Sequence, residues 1–159
     1  MPALKFGLAV LAVAAFTCGA TAAGPAWHVE GLPDTLPLAS QSCLTSYTIV
    51  GQKGYAAAFL DESTDELRKA RANIKLGGKV FDLLLVSTKR SGKNGPESTG
   101  PGAQTDRVFK DKSGAVTVET VVKVTRENPE ADSVEMAGSL TVKYLGGTQT
   151  VKIEGGVAC

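Results

Sequence analysis

The chain predicts a mostly β protein: a single antiparallel β-sandwich or small β-barrel of about seven or eight strands, with at most one short helix. Two observations carry that expectation. Apolar and polar residues alternate through most of the chain beyond residue 43, and two Gly-Gly pairs break the alternation where hairpins would turn.

The leader comes first in the chain. Lys5 supplies a short positive region, Phe6 to Phe16 is an unbroken apolar and Gly stretch, and Ala20-Thr21-Ala22 reads as a small-residue cleavage site. Residues 1–22 are therefore expected to be a signal peptide, cut after Ala22 or Ala23. The apolar run is shorter than the about 20 residues a transmembrane helix needs, so no transmembrane segment is expected. The address is periplasmic or secreted. A lipid anchor on Cys18 is the minor alternative, since Ala15-Phe16-Thr17 departs from the lipoprotein-box pattern.

Residues 24–42 (GPAWHVEGLPDTLPLASQS) form a Pro-rich arm. Pro25, Pro33 and Pro37 forbid a continuous helix, so the arm is expected to run extended and to pack through Trp27, Leu32, Leu36 and Leu38. Residues 43–159 are the β-domain. Cys43 and Cys159 are the two cysteines outside the leader, and an even pair in an exported chain is expected to be a disulfide. Closing so long a loop contributes about 5 kcal/mol in the chain-entropy description.

Within the domain, Tyr47–Val50 and Tyr55–Leu60 read as strands around a Gly51–Gly54 turn. Asp61 to Arg68 reads as one short helical turn, because Ser63 and Glu66 have capping-box spacing. Ala70, Ala72, Ile74 and Leu76 then share a face before Gly77-Gly78, a turn that sets Ile74 opposite Phe81 and Ala72 opposite Leu83. Arg107–Lys110 and Ala115–Arg126 follow as strands joined through Asp111–Gly114, with Val116, Val118, Val122 and Val124 on one face. A last hairpin around Gly146-Gly147 pairs Val142 with Val151 and Leu140 with Ile153. Glu127–Ser133 is an acidic surface turn. On the hairpin's outer face, Arg71 and Lys75 read as charges protecting a sheet edge.

Arg90–Thr105 (RSGKNGPESTGPGAQT) stands apart as a flexible 16-residue stretch almost without apolar side chains. Loops this long are uncommon in compact domains and are often functional or disordered. Its Arg90, Lys93, Asn94 and Glu97 are the candidate partner-contacting residues.

Composition mostly excludes. Of 17 Lys and Arg against 16 Asp and Glu, only Lys5 lies in the leader, so the mature chain is balanced and no nucleic-acid partner is expected. One histidine, His28, leaves little from which to build a metal site or a Ser-His-Asp triad, and no GxSxG elbow surrounds any serine. No catalytic residue, cofactor or metal is expected. For glycoside chemistry the place to look is Asp61, Glu62, Asp65 and Glu66, which otherwise read as a solvated charged turn.

An export signal, a small β-domain and one disulfide ending at the terminal Cys look broadly like small periplasmic inhibitors and immunity proteins. Envelope lysozyme inhibitors centre their recognition on Ser-Gly followed shortly by Tyr. Here Ser91-Gly92 leads to Pro96 and Glu97 with no Tyr, so membership is not claimed. The sequence thus points to an exported binding or inhibitory module that contacts another envelope or secreted protein through loops and a sheet edge. A self-associating structural component is the alternative and an enzyme the third. Oligomeric state is left open.

Overall fold

The computed structural model describes residues 24–36, 43–54, 56–93, 95–96 and 99–158. The leader and Leu38 lie outside them. Among the described residues nine strands form in chain order: β1 (Val29–Glu30), β2 (Leu44–Ile49), β3 (Phe59–Glu62), β4 (Arg71–Leu76), β5 (Lys79–Ser91), β6 (Gln104–Asp111), β7 (Thr117–Asn128), β8 (Ser133–Tyr144) and β9 (Gly147–Ala158). Strands β2 to β9 pair each with the next, all antiparallel, and β9 returns to pair with β2. The sheet is a closed eight-stranded up-and-down barrel, with β1 as one extra strand beside β4.

Alternation decides what fills it. Val118, Thr120 and Val122 of β7, Leu140 and Val142 of β8, and Ile153 of β9 are buried inside. The intervening Glu119, Lys123, Lys143, Lys152 and Glu154 point out, as does Val121. Among the described residues no helix is long and apolar enough to cross a membrane. Phe59 and Phe109 meet edge to face at 5.3 Å in the middle of the interior.

The arm packs as expected where it is described. Trp27 and Val29 are buried in the barrel core, while Leu32 lies outside the wall on Leu60, with Leu36 packed against that pair.

The first Gly-Gly hairpin has the predicted register, Ile74 opposite Phe81 and Ala72 opposite Leu83. The second does not. Tyr144 pairs with Gly147, so Val142 faces Gln149 and Leu140 faces Val151. The turn is Leu145-Gly146, both at positive φ (48° and 75°). Gly147 belongs to the strand for want of space: a Cβ there would sit 2.8 Å from Pro25 Cβ and 3.4 Å from Trp27 Nε1. The shift is two residues, which keeps the same side chains inside.

Three other expectations are corrected. Asp61 to Arg68 holds no helical turn: Asp61 and Glu62 end β3, and Ser63 Oγ meets Thr45 Oγ1 at 3.0 Å instead of capping a helix. The one helical element among the described residues is a 3-10 turn at Pro129–Ala131. Arg71 and Lys75 guard no open edge, because β4 is paired on both sides; they bind Glu62 and Glu30 at 3.2 and 3.0 Å. The long loop is shorter than read: Arg90 and Ser91 pair with Thr105 and Gln104, leaving residues 92–103.

Candidate functional site

The two ends of the barrel differ. At one end the β4–β5 and β8–β9 turns meet the arm. Trp27 meets Tyr144 at 5.8 Å with the rings tilted by 58°, the Tyr144 ring meets Phe81 at 5.1 Å, and the indole Nε1 donates to the Tyr144 carbonyl at 2.9 Å. The other end holds a cavity of about 230 Å³, open to the outside.

Its polar wall is assembled from strand ends. Tyr47 of β2 and Arg107 of β6 point inward by the same alternation that buries Phe59 and Phe109; Tyr47 lies opposite Phe59, and Arg107 is one layer nearer the mouth than Phe109. Thr45, Ser63 and Arg90 line the same side of the chemistry, while Val122, Val124, Val134, Met136 and Val157 supply apolar wall from β7, β8 and β9.

Arg107 is the centre of an ion network. Its Nη1 donates to Asp61 Oδ1 at 2.9 Å and to the Glu62 carbonyl at 3.3 Å. Its Nη2 donates to the Thr64 carbonyl at 2.8 Å and to Asp65 Oδ1 at 2.7 Å. Asp65 also pairs with Arg90 at the rim. An inward charge on a strand must find an opposite charge inside, and β3 supplies it across the barrel. Asp61 is only 1 % exposed, so the expectation of a solvated acidic turn is corrected for this residue. Burial dominates its titration and pushes it up to about 6, with the Arg107 charge and the Thr45 hydroxyl pulling the other way. For Arg107, burial opposes the charge, yet Asp61 and Asp65 outweigh it and hold the guanidinium above its ordinary value. Asp65 also feels burial, and its bonds to Arg107 bring it below the usual carboxylate range.

Two groups in this network have no hydrogen-bond partner among the described residues, Asp61 Oδ2 and Arg107 Nε. Tyr47 is nearly as poorly served. The residue is 3 % exposed, and among the described residues its hydroxyl donates only to Met136 Sδ, at 3.9 Å. Burial, then the Asp61 charge, push the phenol well up, so it stays a donor.

The other members of the acidic run have separate partners: Glu62 faces out on Arg71, and Glu66 pairs with Lys69 at 2.9 Å. Of the predicted partner-contacting residues, Arg90 stands at the cavity rim and Lys93 is exposed; Asn94 and Glu97 lie outside the described residues. Their loop does border the site, since Thr99 and Ala103 line the cavity and Gly102 and Ala103 bond to the Val124 backbone. Tyr47, Asp61 and Arg107 were missed as a group. The signal available was two opposite charges at inward positions of alternating strands, Asp61 after Phe59 and Arg107 before Phe109.

His28 is exposed, 3.9 Å from Glu30. Among the described residues no cluster of three His, Cys, Asp or Glu stands close enough to hold a metal. Cys43 precedes β2; its predicted partner Cys159 lies outside the described residues.

Fold and cavity together define a small closed barrel, packed at one end and hollow at the other. In comparisons with protein families, curated proteins and solved structures, nothing matches this chain.

Proposed function

We propose that this is an exported binding module whose working end is the hollow mouth of the barrel. The observation that carries the reading is the cavity beside Tyr47 and Arg107: buried donors without good acceptors are costly to keep, and a bound group supplies what they lack. Barrel closure moves the reading away from sheet edges. Among the described residues the one strand outside the ring, β1, is two residues long, which leaves little for strand addition or edge-wise self-assembly. The partner, whether an envelope protein inserting a side chain or a small molecule, meets the mouth loops at 92–103 and 129–132.

Native mass spectrometry of the mature protein, purified from the envelope fraction, tests this. The expected result is a co-purifying mass held by the wild type and lost when residues 92–103 are replaced by a short Gly-Ser link. A bare protein, or a mass retained after the replacement, overturns it. A concentration-dependent series of self-assembled species favours the structural alternative.

We also infer that Cys43–Cys159 staples the barrel's seam. The first and last ring strands, β2 and β9, close the sheet, and their register sets Leu44 opposite Ala158, the residues adjoining the two cysteines. Thiol labelling of the denatured, unreduced mature protein should find no free thiol; two would overturn the staple.

A further inference from the structure

We propose that the mouth cavity takes a small monocarboxylate, an acid with a compact apolar body, held head-first against Tyr47 and Arg90 with its body on Val122, Val124 and Met136. The inference rests on the mouth being the working end and names its ligand class.

Charge argues for an anion. Two guanidinium groups, Arg90 and Arg107, line the cavity, and among the described residues no carboxylate does. Asp61 and Asp65 hold Arg107, and Asp65 also pairs with Arg90, without entering the lining. The charge left over argues for a carboxylate over a phosphate. Arg107 and Arg90 are already paired with Asp61 and Asp65, so a head with one negative charge fits better than one with two. The Tyr47 hydroxyl and the rim guanidinium of Arg90 are donors an incoming head meets, and Arg107 Nε–H is unbonded among the described residues. The Tyr47 proton now points at a thioether, a weak acceptor, and a carboxylate oxygen is a far better one. Arg107, immobilised from behind, adds its charge at short range without moving.

Size and wall set the body. An apolar cavity of roughly 150 Å³ holds benzene. The 230 Å³ here therefore suits an acid of about nine non-hydrogen atoms on the same proportion. Valines and a methionine on the opposite wall give it an apolar, deformable bed.

The test is titration calorimetry of the mature protein with octanoate, benzoate, octanamide and octyl phosphate. Saturable binding of octanoate or benzoate, at least tenfold tighter than octanamide, is expected. Tyr47→Phe, which keeps the ring's packing, should weaken the acid about tenfold and leave octanamide nearly unchanged. Val124→Phe, which fills the cavity from its apolar side, should abolish binding with the unfolding midpoint preserved. No saturable binding of either acid overturns the proposal, as does octanamide or octyl phosphate binding as tightly as the acid. If the acids fail while a co-purifying mass still depends on the 92–103 loop, the ligand class falls and the mouth keeps its role.

Discussion

The two ends of this barrel solve the same problem with opposite chemistry. Each must close the interior where the sheet stops. At the arm end the closure is aromatic: Trp27, Tyr144 and Phe81 pack ring to ring, and the one polar indole atom is bonded to a carbonyl. At the mouth the last interior layer is ionic, Arg107 with Asp61 and Asp65, and beyond it lies empty space. Aromatic packing uses surface area and leaves nothing over. A buried ion network leaves leftover valence, here Asp61 Oδ2, Arg107 Nε and the Tyr47 hydroxyl. That difference separates an end that only stabilises from one that has something to offer a ligand.

The contrast can be broken by substitution. Trp27→Ala should cost about 3–5 kcal/mol, the usual loss for a large buried aromatic, read as a fall in the urea unfolding midpoint. Acid binding at the mouth should survive it; simultaneous loss of binding would show that the ends are not independent. Arg107→Met should cost about 3 kcal/mol at pH 7, the low end for breaking a buried pair, because Asp61 can escape by taking up a proton. The cost should shrink at pH 5, whereas the Trp27→Ala cost should not. An equal loss at both pH values would contradict the ionic account.

Asp61 gives the mouth its own pH signature. Its carboxyl holds a proton more tightly folded than unfolded, so its contribution is fully present below the unfolded value of 3.8 and is lost as pH rises through about 6. Between those values it opposes ordinary acid denaturation, by about 3 kcal/mol for a shift of this size. Asp65 has the opposite sign: its contribution is present above 3.8 and lost as pH falls below it. Asp61→Asn should therefore remove the stabilisation gained on lowering pH from 6 to 4, measured as urea midpoints across that range. An unchanged profile would mean Asp61 titrates normally.

The smallest effect belongs to the arm end. Leu145 sits at φ 48° and is 76 % exposed, so it endures a left-handed backbone and buries little in return. Leu145→Asn should raise stability by about 1 kcal/mol in the same assay, since Asn tolerates that region. A loss would show that the leucine makes contacts worth more than its strain.

Much of the fold was legible because strands advertise themselves by alternation. The β4–β5 hairpin was readable to the residue, since Gly77 and Gly78 both take positive φ and no neighbour disputes the turn. The β8–β9 hairpin was not. A distant residue, Trp27, claims the space over Gly147, and the turn moves back onto Leu145, whose side chain gives no such cue. The helical misreading of Asp61 to Arg68 has a similar cause. Ser63 and Glu66 have capping spacing, but Thr45 of a neighbouring strand bonds Ser63, and Arg68 takes a positive φ of 61° that no helix continues through. The candidate site was the least legible part, because Tyr47 and Asp61 come from the paired strands β2 and β3 and Arg107 from β6, which faces them only when the sheet closes.

By itself the sequence determined the class of structure, the single β-domain and which side of most strands faces inward, since these follow from a period of two and from glycine's tolerance of positive φ. Tertiary structure alone decided that the sheet closes, which end is plugged and which is hollow, and that an aspartate in a run of acids is buried beneath an arginine. Those outcomes depend on where the first and last strands meet and on which distant side chain reaches a given space first, and neither is a property of any local stretch of chain.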